Sequence, residues 1–362
     1  MKKGLTAWLV GVFLLTTLVL LVTFNLTKSR ILVLHSGERS SAWVQRVDEG
    51  IRAVLAGNRR PVSVHWHYLG IERFAKEKDR LEAGQLAQRA IAQFRPDVVL
   101  AVDDEAQAYV AQHYVRASGS KASAAKTSDL KPPLATRIVF AAIDHEPMTY
   151  GYVGAANSTG IVERLPLAAL REALATLPAL PKGNAARVAV IGPTDETGQG
   201  QMQQAKAFEW GPHTLVWAQS VPDFASWQSA IQALDGKADV LVVLSFNGLP
   251  VSSESPRPTT MKEVALWIET NAKPIPIGIG TSFVESGGGL AIAPSPREMG
   301  EAAMSITLDW LRALSNGEHG VPAIISNTHY RVAVRESALR ARGIALPSIY
   351  LEAARLDQIY FP

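Results

Sequence analysis

Beyond residue 30 the chain alternates short apolar runs with stretches whose apolar residues recur at helical spacing. The runs Ile31-Leu32-Val33-Leu34, 97–102 and 137–143 predict β-strands, as does 62–68, which alternates apolar and polar positions. Between them, 43–55, 76–94 and 106–116 predict helices, the first carrying Val47, Ile51, Val54 and Leu55 on one face. Strands apolar on both faces belong to a sheet covered on both sides, and strand–helix alternation makes that sheet parallel. The pattern then restarts. Strands at 187–192, 214–218, 239–244 and 276–280 alternate with helices at 200–208, 224–234 and 261–270. A long helix at 296–314 and a last strand at 330–334 follow. The expected fold class is α/β, with two wound parallel-sheet lobes in succession. Residues 117–134, rich in Ser, Ala and Lys, have no periodic apolar face and predict a surface excursion.

Ahead of this, residues 4–27 form an uncharged run of 24 residues dominated by Leu, Val, Phe and Thr. About 20 such residues cross a bilayer as a helix, and 22–26 offer no small-x-small cleavage site. Residues 1–30 are therefore expected to be a signal anchor, a transmembrane helix with Lys2 and Lys3 on the cytoplasmic side. Lys28 and Arg30 blunt that charge asymmetry and leave a cleaved leader as the alternative. The expected location is the inner membrane, single-pass, with the bulk of the chain in the periplasm, or the periplasm itself if the leader is removed.

Composition changes this picture in three places. With 362 residues, 47% hydrophobic and 19% charged, the chain is long enough for two cores and too apolar for disorder. It has no Cys, which excludes disulfides, thiolate metal sites and a Cys nucleophile. The net charge of +3 comes from the leader: Lys2, Lys3, Lys28 and Arg30 stand there without an acid, leaving 32 Lys and Arg against 33 Asp and Glu elsewhere. No basic body remains to hold a phosphate backbone, so nucleic acid is not an expected partner.

Enzyme motifs are incomplete. Gly278-Ile279-Gly280 lacks the third glycine of a dinucleotide loop, since Phe283 stands there, and no P-loop Lys follows. His65 and His67 share one strand face without a visible third metal ligand. No G-x-S-x-G elbow occurs. No catalytic residue, metal site or cofactor is expected.

The polar residues that follow the strands are more informative, because in a wound sheet those loops converge on one crevice. Candidate ligand contacts are His35, Ser36, Asp103, Asp104, Asp144, Thr194, Thr197, Ser245, Phe246, Asn247, Gly280 and Thr281, with Trp43 and Phe246 as flat apolar walls. Asp103, Asp104 and Asp144 would suit a cationic group such as an α-amine, and free helix N-termini a carboxylate. The same residue types cap helices, so capping and ligand contact both stay open at each position.

At these residues the chain resembles the ABC transporter substrate-binding-protein-like family. Ile31-Leu32-Val33-Leu34-His35-Ser36 with Trp43 and Gly50-Ile51 is similar to that family's L-H-S-Y opening, Gly37 standing where Tyr is usual. Ile138-Val139-Phe140 with Asn157-Ser158-Thr159-Gly160-Ile161, and Arg187-Val188-Ala189-Val190-Ile191 with Thr197-Gly198, resemble its central motifs. Tyr330-Arg331-Val332-Ala333-Val334 through Ala338, Gly343-Ile344 and Leu346-Pro347 resemble its closing segment. The resemblance implies a type I periplasmic binding protein fold with two lobes, three crossovers and closure on a small molecule. Lobe one would be 31–150 plus 293–322 and lobe two 151–292 plus 323–362. The implied function is non-enzymatic capture of a small polar solute, an amino acid among the candidates, for an ABC permease. The alternative is a ligand-sensing ectodomain of a membrane partner such as a sensor histidine kinase.

Overall fold

The computed structural model describes residues 2–362 apart from 75, 116–135, 178–179, 181–184 and 247–248. The expected excursion at 117–134 therefore lies outside the described residues. The chain opens with helix α1 (Lys2–Thr27), whose described side chains, residues 8–21, include Trp8, Phe13, Leu15 and Leu20, all exposed. Among the described residues no helix is long and apolar enough to cross a membrane.

Lobe one follows as β1 (Ser29–His35), α2 (Ala42–Gly57), β2 (Val62–Tyr68), α3 (Glu77–Phe94), β3 (Val98–Val102), α4 (Asp104–Tyr109), β4 (Arg137–Ile143) and β5 (Ser158–Val162). Lobe two continues with α5 (Leu167–Thr176), β6 (Arg187–Gly192), α6 (Glu196–Ala207), β7 (Thr214–Ser220), α7 (Phe224–Gln232), β8 (Val240–Val243), α8 (Met261–Asn271), β9 (Ile275–Gly278), α9 (Thr281–Glu285) and β10 (Leu290–Pro294). Helix α10 (Pro296–Ser315) and β11 (Ile325–Ser326) return to lobe one. Then β12 (Tyr330–Arg335), α11 (Glu336–Ala341), α12 (Ser348–Leu356) and β13 (Tyr360–Phe361) finish in lobe two.

The first sheet has the order β11-β5-β4-β3-β1-β2 and is parallel throughout. The second has the order β13-β12-β10-β9-β8-β6-β7, with β12 antiparallel to β10. Successive residues of a strand point to opposite faces, which accounts for the continuous apolar runs. Leu32, Leu34, Val99, Ala101, Ile138 and Phe140 pack on one side of the first sheet, and Ile31, Val33, Val98, Leu100 and Val139 on the other. Helices α2 and α10 cover that second side and touch backbone to backbone. A Cβ at Gly50 would stand 2.2 Å from the Arg297 carbonyl oxygen, and one at Gly300 would stand 2.0 Å from that of Val47.

Two boundaries differ from expectation. Strand β5 pairs with β4, so 151–162 belong with lobe one and the chain leaves that lobe after Val162, not at 150. Ser158-Thr159-Gly160 carries little apolar signal, yet Gly160 sits opposite Phe140, where a Cβ would be 2.0 Å from the Phe140 carbonyl oxygen. Strand β11 adds 325–326 to the same sheet, and the chain returns to lobe two through 327–329. There Asn327 clasps the first crossover: it accepts from the Arg164 backbone N–H at 2.7 Å and donates to the Arg164 carbonyl at 3.1 Å. The helix expected at 106–116 begins earlier and ends at Tyr109, with a separate 3₁₀ turn at Ala111–Tyr114.

Candidate functional site

Between the lobes lies a cavity of about 340 Å³, inside the about 300–1,000 Å³ range of small-molecule sites. Lobe one contributes Trp43, Asp103, Asp144 and Glu163, and lobe two contributes Thr197, Gln201, Ser245, Phe246, Gly280 and Thr281. A smaller adjoining cavity of about 60 Å³ is lined by Ser36, Glu72, Arg80, Asp103, Glu105 and Asp195 among others.

Asp103 stands where β3 ends, at φ 76°. A non-glycine residue there costs about 1–3 kcal/mol and persists only when its surroundings over-determine it. Its carboxylate accepts from Ser36 Oγ at 2.6 Å, the Asp104 backbone N–H at 2.9 Å and Thr197 Oγ1 at 2.7 Å. Ala142 repeats the strain at the end of β4, at φ 52° beside a register shift, and also lines the cavity.

Asp104 is buried beneath the site and braces it. Its carboxylate accepts from the backbone N–H groups of Asp144 at 2.8 Å and His145 at 3.3 Å, and from Tyr150 Oη at 2.8 Å. Burial, then the charge of Asp103, pushes its carboxyl up to about 7. Asp144 accepts from Gln201 Nε2 at 3.1 Å and Gln204 Nε2 at 3.3 Å. Burial, then Glu163, Asp104 and Asp103, pushes Asp144 well above the usual carboxylate range. Glu163, next after β5, is raised to about 8 by burial and then by Asp103, Asp104 and Glu298.

From lobe two, Thr197 and Gln201 stand one turn apart on α6 and so share a face. Gln201 links Asp144 to Ser245, whose backbone N–H donates to Gln201 Oε1 at 2.9 Å. Phe246 is buried edge-on against Trp227, with ring centroids 5.2 Å apart. Thr281 opens α9 and accepts from Arg46 Nη1 at 2.9 Å; the same nitrogen lies 2.7 Å from Glu285. Direct hydrogen bonds thus span the cleft, and the lobes are closed on each other.

Of the residues expected here, Trp43, Asp103, Asp144, Thr197, Ser245, Phe246, Gly280 and Thr281 line the larger cavity, and Ser36 lines the smaller one. His35 lines neither. It is fully buried, 2.8 Å from Asp48 and stacked on Tyr68. Thr194 is exposed, its carbonyl accepting from Gln199. Asp104 braces the site from below, and Asn247 lies outside the described residues. Sequence reasoning passed over Glu38, Glu72, Glu163, Gln201 and Glu285, which also line the cavity. Gln201 could have been found as the residue four after Thr197; Glu163 was hidden because β5 was.

No family model and no curated protein matches the chain. Solved structures do. An ABC domain from Streptococcus pneumoniae in complex with L-Trp is similar at 15% identity and TM-score 0.61, over 91% of this chain and 99% of that one. A conserved domain protein from Vibrio cholerae aligns at 15% identity and TM-score 0.60, over the same 91% and 99%. A substrate-binding protein with adhesive properties from Clostridium difficile, in a ligand-free, open structure, aligns at 17% identity and TM-score 0.57, over 88% and 96%. The chain has the type I periplasmic binding protein fold of these structures.

Proposed function

We propose that this protein captures a small polar solute between its two lobes and presents it to an ABC-type permease. The observation that carries this reading is the cavity lined from both lobes and spanned by Arg46–Thr281, Thr197–Asp103 and Gln201–Asp144. A ligand there touches both lobes only when they are closed, so its binding favours closure by those extra contacts. The role is binding rather than turnover. An amine-bearing solute such as an amino acid suits the acidic wall, and the L-Trp complex of the streptococcal domain supports that class.

In this reading α1 tethers the lobes at the inner membrane, with the body in the periplasm; its exposed Trp8, Phe13, Leu15 and Leu20 support the tether. A ligand-sensing ectodomain paired with a membrane histidine kinase is the second reading, favoured by a single N-terminal helix in a chain without the Cys that a lipid anchor needs.

Thermal unfolding of the full chain across amino acids, peptides, sugars and nucleosides tests capture. A one-site ligand at 100 times its dissociation constant adds about 2.7 kcal/mol, a shift of several degrees. Small-angle scattering on the same samples reads lobe closure. A solute that raises the melting temperature while the lobes stand open in scattering would falsify the reading. Cross-linking in native membranes then separates permease from kinase.

A further inference from the structure

The described lining of the larger cavity holds six carboxylates, Glu38, Glu72, Asp103, Asp144, Glu163 and Glu285, and no Lys, Arg or His. Two are paired at its edge, Glu38 with Arg73 and Glu285 with Arg46, each at 2.7 Å. Among the described residues the other four form no ion pair. Asp103 and Asp144 are bonded only to uncharged hydroxyl and amide side-chain donors. Arg80 belongs to the smaller cavity, with Glu72, Glu105 and Asp195 around it, and its Nε donates to the Phe74 carbonyl.

Glu163 is the decisive member. It is 6% exposed and lines the cavity, and its Oε2 has no hydrogen-bond partner among the described residues. A buried carboxylate oxygen left unpartnered is costly, and such a group in a native structure calls for a missing ligand, ion or water. No three His, Asp or Glu side chains among the described residues converge to hold a metal ion. The acidic groups are spread along the cavity instead.

We propose that the solute is an organic cation of net positive charge, its ammonium or guanidinium group seated on the Glu163 carboxylate, with Asp144 and Asp103 as further acidic partners. This rests on the capture reading above and narrows it. Trp43 and Phe246 add aromatic surface that also favours a cation. The first turn of α2, which meets the cavity at Ala42, Trp43 and Val44 without an acidic residue, leaves room for one carboxylate. A basic amino acid and a carboxylate-free amine therefore share the chemistry that Glu163 reads.

The test is calorimetric titration of the full chain with lysine, with norleucine, which keeps its carbon skeleton but lacks the side-chain amine, and with cadaverine, which keeps both amines but lacks the carboxyl group. Lysine, cadaverine or both are expected to bind, with norleucine about 30-fold or more weaker, and Glu163→Gln to lose a similar factor. Lysine binding tighter than cadaverine assigns a carboxylate contact; the reverse assigns a carboxylate-free amine. Unaltered or higher melting of Glu163→Gln shows that the variant is folded. Norleucine binding as tightly as lysine, indifferent to Glu163→Gln yet closing the lobes in scattering, overturns the cation and leaves capture standing. No response to either cation at millimolar concentration overturns the cation assignment as well. Binding that leaves the lobes apart overturns both readings.

Discussion

Thr197 Oγ1 donates to Asp103 Oδ1 at 2.7 Å, joining the first turn of α6 in one lobe to the end of β3 in the other. The bond holds one lobe to the other, so the position of the open–closed equilibrium depends partly on these two side chains. A net hydrogen bond is worth about 1 kcal/mol. Thr197→Val keeps the volume and removes the donor. It is expected to shift the ligand-free equilibrium about five-fold toward the open form, read as a larger radius of gyration by small-angle scattering.

Gly200 offers a blunter version of the same experiment. A Cβ there would stand 2.7 Å from the His145 backbone nitrogen and 2.8 Å from the Asp144 carbonyl carbon, both across the lobe boundary. Gly200→Ala is expected to hold the lobes apart and weaken solute binding roughly 5- to 150-fold, from about 1–3 kcal/mol of overpacking. Denaturant unfolding of each lobe should stay near native, since the methyl clashes between lobes rather than within one.

The acidic wall sets a pH dependence of unusual sign. Glu163 is raised from 4.5 to about 8 and Asp104 from 3.8 to about 7, in both cases first by burial. A carboxyl that keeps its proton in the native state stabilises the fold fully below its unfolded value, and that contribution is lost as pH rises through the native one. The ligand-free melting temperature is therefore expected to fall between about pH 5 and pH 8. Glu163→Gln should flatten the upper part of that fall, and a melting temperature that rises across the window would contradict it. Solute amines stay charged there, so lysine binding should strengthen over the same interval.

At the crossing of α2 and α10, Gly300→Ala puts a methyl 2.0 Å from the Val47 carbonyl oxygen. The backbones must separate, at about 1–3 kcal/mol. The lobe-one transition in denaturant should move to lower concentration while that of lobe two stays in place.

His35 tests the boundary of the site from outside. Its ring stacks on Tyr68 and meets Asp48, which also accepts from Tyr68 Oη at 2.8 Å. His35→Ala is expected to lower stability by a few kcal/mol through the lost packing and the loss of the partner of Asp48 Oδ1. Solute affinity measured on the remaining folded fraction should be unchanged.

Much of the architecture was legible from the chain because period and burial coincide. The unbroken runs at 31–34, 98–102, 138–143 and 188–192 are apolar on both faces, and only a sheet covered on both sides buries them. Polar clusters after those strands marked the crevice for the same topological reason. Local pattern was silent where the chain is small or polar. Ser158-Thr159-Gly160 became a central strand because Gly160 fits against Phe140, and that moved the lobe boundary. Only the tertiary structure could separate His35 and Asp104, turned into the core, from Asp103 and Asp144, turned toward the cavity. It alone brought Glu163 beside them, because burial and charge are sums over neighbours distant in the chain, which no local pattern records.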